Sequence, residues 1–432
     1  MNIVNLIEKK KTNKKITEAE FDFFIKGILD KSIKDYQTSA FLMSIFFSKL
    51  DFNETYFLTK AIVENGLIIN FASVNEKIID KHSTGGIGDK VSLILVPILA
   101  SLGIKVAKMS GRGLGYTGGT IDKLESVGVE TEISETKCLK LLNEFNMFII
   151  AQNKDIAPAD KILYAIRDTS GSINNISLIA SSIMSKKLAT NTDKIYLDVK
   201  VGDGAFFPNL KEAKEFSELC IKIGKKFKKS VVVHLTNMSK PLGKCLGNMI
   251  EIKESISFLK GDFYSLQLKK LIFDFSIDIL IDMKKAKDEK DACKKIENTI
   301  SSLKAYNLFC KWAKAQNSNF DFDNIDNEYN PKNSIKIYAT KNGYIDFYSN
   351  KVFGYSLIDI KAGRMNKDEK LDFLSGIYLN KSYNDKVKKD DLIMTVFSNS
   401  EIPKDTISKL EKNIIYSEKK GKEEKIILGL IK

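Results

Sequence analysis

Two glycine-rich stretches decide the fold: residues 81–89 read KHSTGGIGD and residues 110–120 read SGRGLGYTGGT. Each stretch follows a short apolar run and precedes a segment of helical character, at 91–102 and 120–127. Glycine lets backbone N–H groups approach an anion closely, and the following helix adds the positive end of its dipole. Because the stretches also carry hydroxyls and cations, they predict two strand–loop–helix units that bind phosphate.

Strand-like and helical segments alternate on either side of these stretches. The strand-like segments are 78–80, 105–109, 148–151, 195–200 and 230–235, and the helices between them include 91–102, 135–145 and 210–225. Such alternation is typical of an α/β fold, in which helices cover a mostly parallel sheet.

The segments that flank this alternation have a different character. Helical periodicity is found at 16–29, 36–50 and 53–65, and the helical pair 159–168 and 176–189 is expected to join these helices. Helices are also predicted at 250–259, 263–286 and 288–315. After a linker at 316–333, rich in Asn and Asp, strands are predicted at 334–339, 343–348, 355–360 and 392–397.

The predicted architecture is an α/β protein with a small discontinuous helical domain, a large α/β domain with a mostly parallel sheet, and a C-terminal α+β domain. The predicted boundaries are 1–65 and 155–190 for the helical domain, 70–154 and 191–310 for the α/β domain, and 334–432 for the C-terminal domain.

Composition disfavours several classes of function. The 68 lysines and arginines give a net charge of +13 but are scattered without an aromatic-rich basic patch, so we expect no nucleic-acid partner. The longest apolar run, 91–102, is too short to cross a bilayer, and the first ten residues lack a signal-peptide pattern, so we expect no membrane association. Five cysteines without a CxxC pair favour free thiols in the cytoplasm, and two histidines leave little material for a catalytic metal.

Arginine is rare in this chain, where Arg112, Arg167 and Arg364 stand against 65 lysines. A chain so rich in lysine is expected to keep arginine where a planar, two-pronged donor is needed. Arg112 lies in the second glycine-rich stretch, and Arg167 lies in the helical pair. Chance placement of three residues is the alternative.

The helical pair carries a second set of polar groups. Tyr164 and Arg167 share a helix face at spacing i, i+3, and Ser182 and Lys186 share one at i, i+4. An aromatic ring, a guanidinium, a hydroxyl and an ammonium together suit a ligand rich in carbonyl acceptors, such as a uracil ring. Solvated helix charges are the alternative interpretation.

Two common nucleotide motifs do not account for the glycines. Asp89 separates Gly88 from Lys90, so the Gly-Lys-Ser/Thr ending of a P-loop is absent. Residues 113–118 match GxGxxG, but a dinucleotide-binding fold has no second phosphate loop shortly upstream.

These motifs closely resemble those of the pyrimidine-nucleoside and thymidine phosphorylases. The resemblance rests on 81–89, on 110–120 with Asp122 and Glu125, and on the segments around Arg167 and Lys186; it extends to 35–40, 241–243 and 361–364. It implies reversible phosphorolysis of uridine, deoxyuridine or thymidine, which gives a free base and (deoxy)ribose 1-phosphate. Phosphate is then a co-substrate, and no organic cofactor is expected.

The resemblance also implies roles for individual residues. The phosphate-binding set is Lys81, Ser83, Ser92, Lys108, Ser110 and Thr120. The base-binding set is Tyr164, Arg167, Ser182 and Lys186. His82 would lie between the two sets as a candidate proton donor, and Arg167 and Lys186 would stabilise the charge on the departing base.

A structural potassium ion and a homodimer are further implications of the resemblance, and domain closure is expected because the phosphate and base sites lie on different predicted domains. The oxygens around the ion would come from Gly88, Lys90, Leu242, Cys245 and Glu254, where Lys90 replaces a smaller residue and Cys245 replaces alanine. Closure would bend the chain near residue 66 and in 151–154 and 190–193. His234, in a predicted buried strand, is expected to be structural.

Two alternatives from other classes remain. An enzyme similar to anthranilate phosphoribosyltransferase shares the architecture and a glycine-rich phosphate loop, but would use a pyrophosphorylated ribose with magnesium. A basic nucleic-acid-binding protein would show steeply salt-dependent binding to DNA or RNA.

Overall fold

A computed structural model describes residues 1–113, 115–116, 118–152, 156–366 and 369–432. Leu114 and Thr117 of the second glycine-rich stretch lie outside the described residues, as do Asn153 and Lys154 of one predicted hinge.

The described elements are seventeen α-helices, a 3₁₀ turn at Phe322–Asn324 and thirteen strands. The helices are α1 (Ile3–Lys11), α2 (Glu18–Leu29), α3 (Asp35–Ser48), α4 (Phe52–Glu64), α5 (Val91–Ser101), α6 (Thr120–Glu125), α7 (Glu135–Phe145), α8 (Pro158–Thr169), α9 (Ile176–Ala189), α10 (Leu210–Lys226), α11 (Met249–Leu259), α12 (Leu266–Asp282), α13 (Glu289–Ser301), α14 (Lys304–Ala315), α15 (Ile325–Glu328), α16 (Asn350–Asp359) and α17 (Lys404–Lys412). The strands are β1 (Ile78–Ser83), β2 (Lys105–Ser110), β3 (Met147–Ala151), β4 (Lys194–Val201), β5 (Ser230–Asn237), β6 (Cys245–Gly247), β7 (Asn333–Tyr338), β8 (Gly343–Phe347), β9 (Gly376–Leu379), β10 (Lys386–Val387), β11 (Leu392–Ser398), β12 (Ile414–Ser417) and β13 (Ile427–Ile431).

A six-stranded sheet in the order β13-β5-β4-β1-β2-β3 forms the centre of the large α/β domain. Strands β1 to β5 run parallel to one another. The sixth strand of this sheet, β13, pairs antiparallel with β5. The two glycine-rich stretches follow the adjacent strands β1 and β2, so they meet at the carboxyl edge of the sheet. Ligands of open α/β sheets bind at this edge.

Helix α5 is buried over its whole length, because all eleven of its residues lie inside the core. It packs against β1 and β2 on one side and α11, α12 and α14 on the other. A helix that is apolar all round must be covered by other elements, and here it anchors the loop that precedes it.

The helical domain combines α1 to α4 with α8, and α9 packs against α4. Phe21, Phe24 and Phe41 are fully buried in its core. The rings of Phe24 and Phe41 pack edge to face, with their centroids 4.5 Å apart. The helical pair α8 and α9 therefore packs against the N-terminal helices.

The C-terminal α+β domain contains two antiparallel sheets, in the orders β10-β8-β12 and β6-β9-β11-β7. Two strands connect this domain to the α/β domain. Strand β6, which precedes α11, pairs with β9 of the C-terminal domain, and β13, near the C-terminus, pairs with β5 of the central sheet. Residues 427–431, which the sequence assigns to the C-terminal domain, thus lie in the α/β sheet.

Three predictions about local structure are wrong. Residues 355–360 are predicted as a strand, but 355–359 belong to α16 and Ile360 caps it; buried Phe353 and Leu357 follow the helical i, i+4 spacing. The predicted helix 288–315 is interrupted at Leu303, which has a φ of 58°. The predicted linker 316–333 packs into the core: Gln316 is buried and donates to Glu130 O at 2.6 Å and Ile149 O at 3.2 Å. Polar composition alone did not reveal that these amides pair with backbone carbonyls.

Within the described ranges, the helices are all too short or too polar to cross a membrane.

Candidate active site

A cavity of about 520 Å³ opens between the carboxyl edge of the sheet and the helical pair α8–α9. Both glycine-rich stretches line one wall, and α8 and α9 line the opposite wall. Phe206 and Phe207, which follow β4, and Arg364 of the C-terminal domain complete it. The volume lies within the range of about 300–1,000 Å³ that is usual for small-molecule sites.

The first glycine-rich stretch is organised by Ser83 and Asp89. The Ser83 hydroxyl accepts the N–H of Gly85 at 3.1 Å and donates to the Asp89 carboxylate. Asp89 also accepts the N–H of Val91, at the start of α5. Burial raises the pKa of Asp89, but the neighbouring Lys200 and Lys81 outweigh it and hold the pKa well below its usual range. The carboxylate is therefore ionised and fixes the loop.

His82 lines the cavity at the end of β1. Its Nδ1 is buried without a hydrogen-bond partner among the described residues. Burial, and then the positive charges of Lys187, Lys108 and Lys186, hold the pKa of His82 well below its ordinary value. At neutral pH the imidazole is uncharged and can present one N–H and one lone pair.

Asp122 organises the second glycine-rich stretch. Its carboxylate accepts the N–H of Gly113 at 2.5 Å and pairs with the guanidinium of Arg364. A Cβ on Gly119 would lie 2.0 Å from Gly113 N and 2.4 Å from the carbonyl carbon of Arg112, so a side chain there would collide with the backbone. The stretch is therefore tightly folded, and Arg364 of the C-terminal domain stabilises it through Asp122.

The predicted phosphate-binding residues fall into two layers. Ser83, Lys108, Ser110 and Thr120 line the cavity. Lys81 and Ser92 lie beneath it: Lys81 is fully buried, with Nζ 3.0 Å from Asp198 Oδ2 and 3.4 Å from Ser92 Oγ. These two residues support the wall of the cavity and do not border it.

The predicted base-binding residues are brought together on the opposite wall. Tyr164, Arg167, Ser182 and Lys186 all line the cavity. Lys186 Nζ donates to Ser182 Oγ at 2.9 Å and to the carboxylate of Asp160. Asp160 is a site residue that the sequence analysis missed, although its spacing from Tyr164 and Arg167 (i, i+4 and i, i+7) places it on the same face of α8.

Arg167 is buried, and its guanidinium donates to three backbone carbonyls. The acceptors are Ser172 O at 3.4 Å, Ile173 O at 2.7 Å and Leu178 O at 3.0 Å, which lie in the connection from α8 to α9 and in α9 itself. The planar group thus fixes the geometry of the helical pair while it faces the cavity. Arg112 and Arg364 also line the cavity, so all three arginines of the chain meet there.

The residues expected to hold a potassium ion do come together, but they do not fit an added ion. Lys90 Nζ lies 2.8 Å from Leu242 O and 2.9 Å from Glu254 Oε2. The carbonyl of Gly88 accepts the backbone N–H of Lys90 at 2.9 Å, and Cys245 donates its N–H to Glu254 at 2.8 Å. A lysine ammonium contacts the oxygens that the ion would need.

His234 lies on β5 and is fully buried, as predicted. Its Nε2 is 2.8 Å from Asp278 Oδ2 of α12, and its ring packs on Phe275. The side chain joins the sheet to a covering helix, which agrees with the structural role expected for it.

Phosphate binding is expected to be linked to protonation of Lys108. Burial, and then repulsion by Lys187, lower the pKa of Lys108 to about 7. At about pH 8 the free enzyme holds this lysine mostly neutral, and a phosphate dianion beside it would favour the ammonium, so binding should take up about one proton. Near pH 6 Lys108 is already charged, and this uptake should vanish.

Calorimetry of phosphate binding in buffers of different ionisation enthalpy measures this proton uptake directly. Lys108→Met is the control and should show no uptake at about pH 8. Uptake that persists in this variant would assign the proton to another group.

Three family models match the chain. The helical bundle domain of a glycosyl transferase family matches residues 4–66, and the a/b domain of that family matches residues 75–306. The pyrimidine nucleoside phosphorylase C-terminal domain matches residues 344–417. Fold and site therefore define a glycosyl transferase with a glycine-lined cavity.

Curated relatives narrow this class. The chain is 47% identical to the thymidine phosphorylase of Mycoplasmoides pirum over 416 residues, which are 96% of this chain and 99% of the relative. It is 44% identical to the thymidine phosphorylase of Mycoplasma genitalium, with the same coverage, and 38% identical to the pyrimidine-nucleoside phosphorylase of Staphylococcus epidermidis over the full length of both. The chain belongs to the pyrimidine-nucleoside and thymidine phosphorylase family of enzymes, which confirms the resemblance drawn from its motifs.

A solved structure supports the fold. The anthranilate phosphoribosyltransferase of Thermus thermophilus aligns with a TM-score of 0.57 at 14% identity, covering 72% of this chain and 99% of the other. At this identity the likeness concerns architecture alone, so that enzyme is a distant structural relative.

Proposed function

We propose that the cavity binds phosphate and a pyrimidine nucleoside against opposite walls and catalyses reversible phosphorolysis of the nucleoside. The observation that carries this proposal is the placement of two dissimilar donor sets across one cavity. The glycine-rich wall offers backbone N–H groups, hydroxyls and Lys108 to an anion. The helical wall offers Tyr164, Ser182 and Lys186 to a ring with carbonyl acceptors.

Phosphate is the nucleophile in this reaction. One of its oxygens forms a bond to C1′ of the sugar while the C1′–N1 bond to the base breaks. Phosphate needs no strong base to react, so the glycine-rich wall contributes mainly by holding it in line. Ser110 and Thr120 supply hydroxyls for this purpose, Ser83 shapes the loop through its bond to Asp89, and the buried Lys81–Asp198 pair keeps β1 in place behind them.

The departing base takes the electron pair of the broken bond, and negative charge develops on its carbonyl oxygens. Lys186 is placed to stabilise this charge, because Asp160 and Ser182 fix its ammonium on the cavity wall. His82 is neutral before phosphate binds and would donate an N–H to the base.

Closure of the helical domain onto the glycine-rich wall would complete the site. The two walls belong to different domains that are joined near Gly66 and through 190–193. At Gly66 a Cβ would lie 2.9 Å from Pro158 Cδ and 3.0 Å from Ala157 N, so the crossing chains are in close contact there. Rotation about this crossing would exclude water from the departing base.

A homodimer through the helical domain is part of the proposal. Tyr36 and Phe47 of α3 are 74% and 78% exposed, and with Met43 they fall on one helical face. Large apolar side chains exposed in a row suit a second copy of this chain. The five free cysteines agree with a reducing compartment such as the cytoplasm.

Arg167→Lys is expected to lower kcat/KM for nucleoside by about 10²-fold or more. Lysine keeps the charge, but it cannot reach Ser172, Ile173 and Leu178 carbonyls together, so the helical wall loses its geometry. Steady-state kinetics measure the effect, and circular dichroism checks that the fold is kept. Near-normal turnover would remove Arg167 from the base-binding wall.

Release of free base from uridine, deoxyuridine and thymidine, with and without phosphate and without magnesium, tests the function. Phosphate-dependent release supports phosphorolysis, and the three rates give the substrate preference. Absence of release from all three nucleosides would overturn the proposal; a magnesium-dependent reaction of pyrophosphorylated ribose would then support the phosphoribosyltransferase alternative.

A further inference from the structure

The ammonium of Lys90 occupies a buried cage of oxygens outside the catalytic cavity. Nζ lies 2.8 Å from Leu242 O and 2.9 Å from Glu254 Oε2, and the side chains of Lys90 and Glu254 are 0% and 2% exposed. Glu254 also accepts the backbone N–H groups of Lys244 and Cys245. Every partner of this ammonium comes from a distant part of the chain.

Two glycines leave space for the ammonium. Gly88 has a φ of +76°, and a Cβ on it would lie 2.4 Å from Leu242 O. Gly243 has a φ of +79°, and a Cβ there would lie 2.6 Å from Lys90 Nζ and 2.7 Å from both carboxylate oxygens of Glu254. The cage admits a small cation and no further side chain, and Lys90 fills it.

The charges of the cage are already balanced. Glu254 is paired with Lys90, and the neighbouring carboxylate of α11, Glu251, is paired with Lys123 at 2.6 Å. A metal ion added beside Nζ would face a second positive charge at low dielectric, and in the part of the chain that the structure describes both nearby carboxylates are already paired.

We propose that Lys90 is a built-in replacement for a monovalent metal ion, so that this enzyme needs no potassium. The family resemblance implies a free potassium ion at these oxygens, whereas here the cation is covalently attached next to the first glycine-rich stretch. Its function is to position that stretch, independently of the salt around the protein.

The contacts of Lys90 show what this cation holds together. Lys90 immediately precedes α5 and follows Asp89 of the first glycine-rich stretch. Leu242 lies just before β6, which pairs with β9 of the C-terminal domain, and Glu254 lies on α11. The ammonium therefore fastens the phosphate wall of the cavity to the strand that enters the C-terminal domain.

Thermal unfolding in potassium, sodium and tetramethylammonium chloride at equal ionic strength tests the proposal without reference to turnover. The unaltered enzyme should unfold at the same Tm in all three salts. Lys90→Ser empties the cage and should lower Tm by about 5 °C or more in tetramethylammonium, and potassium should restore most of that loss. Titration calorimetry with potassium chloride should then detect a site in Lys90→Ser alone.

Lys10→Ser is a matched control, because Lys10 forms a buried pair with Glu54 at 2.7 Å in the helical domain. It should be destabilised and should not respond to potassium. Selective stabilisation of the unaltered enzyme by potassium would overturn the proposal, and this measurement stands even if Lys90→Ser does not fold. A folded Lys90→Ser protein that is destabilised but indifferent to potassium, or that is as stable as the unaltered enzyme in every salt, would also overturn it.

Discussion

Lys186→Met is expected to lower kcat/KM for pyrimidine nucleosides by about 10³-fold, the largest loss from a single side chain on the helical wall. Lys186 places a positive charge where the departing base becomes negative, and methionine keeps the length of the side chain without the charge. Because the lost interaction forms mainly in the transition state, kcat should fall much more than KM rises. Steady-state kinetics over a range of nucleoside and phosphate concentrations measure both.

The same substitution also leaves Asp160 without its partner. Asp160 is 2% exposed and Lys186 is 19% exposed, so the expected loss of stability is about 2 kcal/mol, less than for a pair that is fully buried on both sides. Lys186→Met with Asp160→Asn should recover this stability but not the activity. Recovery of activity in the double variant would mean that Lys186 acts only by neutralising Asp160.

Gly119→Ala is expected to lower kcat/KM for phosphate by about 10³-fold. The new Cβ would lie 2.0 Å from Gly113 N and 2.5 Å from Asp122 Oδ2, and neither the backbone nor the paired carboxylate can withdraw without unfolding the stretch. Displacement by about 1 Å of several groups that hold phosphate is sufficient for such a loss. Kinetics with phosphate as the varied substrate measure it.

Gly111→Ala is the matched control in the same stretch. A Cβ on Gly111 would meet no atom of the described residues within 4 Å, so the backbone should keep its course and the loss should stay below about tenfold. Equal losses in the two variants would mean that any added methyl group blocks the ligand and that the close packing of Gly119 is not the cause.

The central sheet could be predicted because its signals are local. Short apolar runs mark β1 to β5, and each is bounded by glycines or by a helix with regular periodicity. In the C-terminal domain the signals are weaker, since several of its paired strands, such as β9, β10 and β12, are only two to four residues long. The segment 355–360 was therefore mistaken for a strand, although Phe353 and Leu357 show the helical spacing when the window begins earlier.

A residue that lines the cavity could be predicted when it belongs to a sequence motif. It could not be predicted when only the packing of distant segments places it at the cavity. Ser83, Ser110 and Lys186 lie in such motifs. Phe206 and Phe207 reach the cavity from a segment that carries no comparable pattern, and the motif 361–364 does not by itself show that Arg364 reaches the cavity from the C-terminal domain. Lys81 was assigned to the phosphate, but its ion pair with Asp198 depends on the order β4-β1 in the sheet, which no local pattern reveals.

The pairing of β13 with β5 has a consequence for how the protein is made. Ile427 lies opposite Thr236, so this part of the sheet joins segments that are far apart in the chain. While the polypeptide is being synthesised, β5 has a free edge throughout the translation of the entire C-terminal domain. An exposed apolar edge invites pairing with other chains. Nascent chains stalled before residue 427 should therefore aggregate or require a chaperone, even though every catalytic side chain has already been translated.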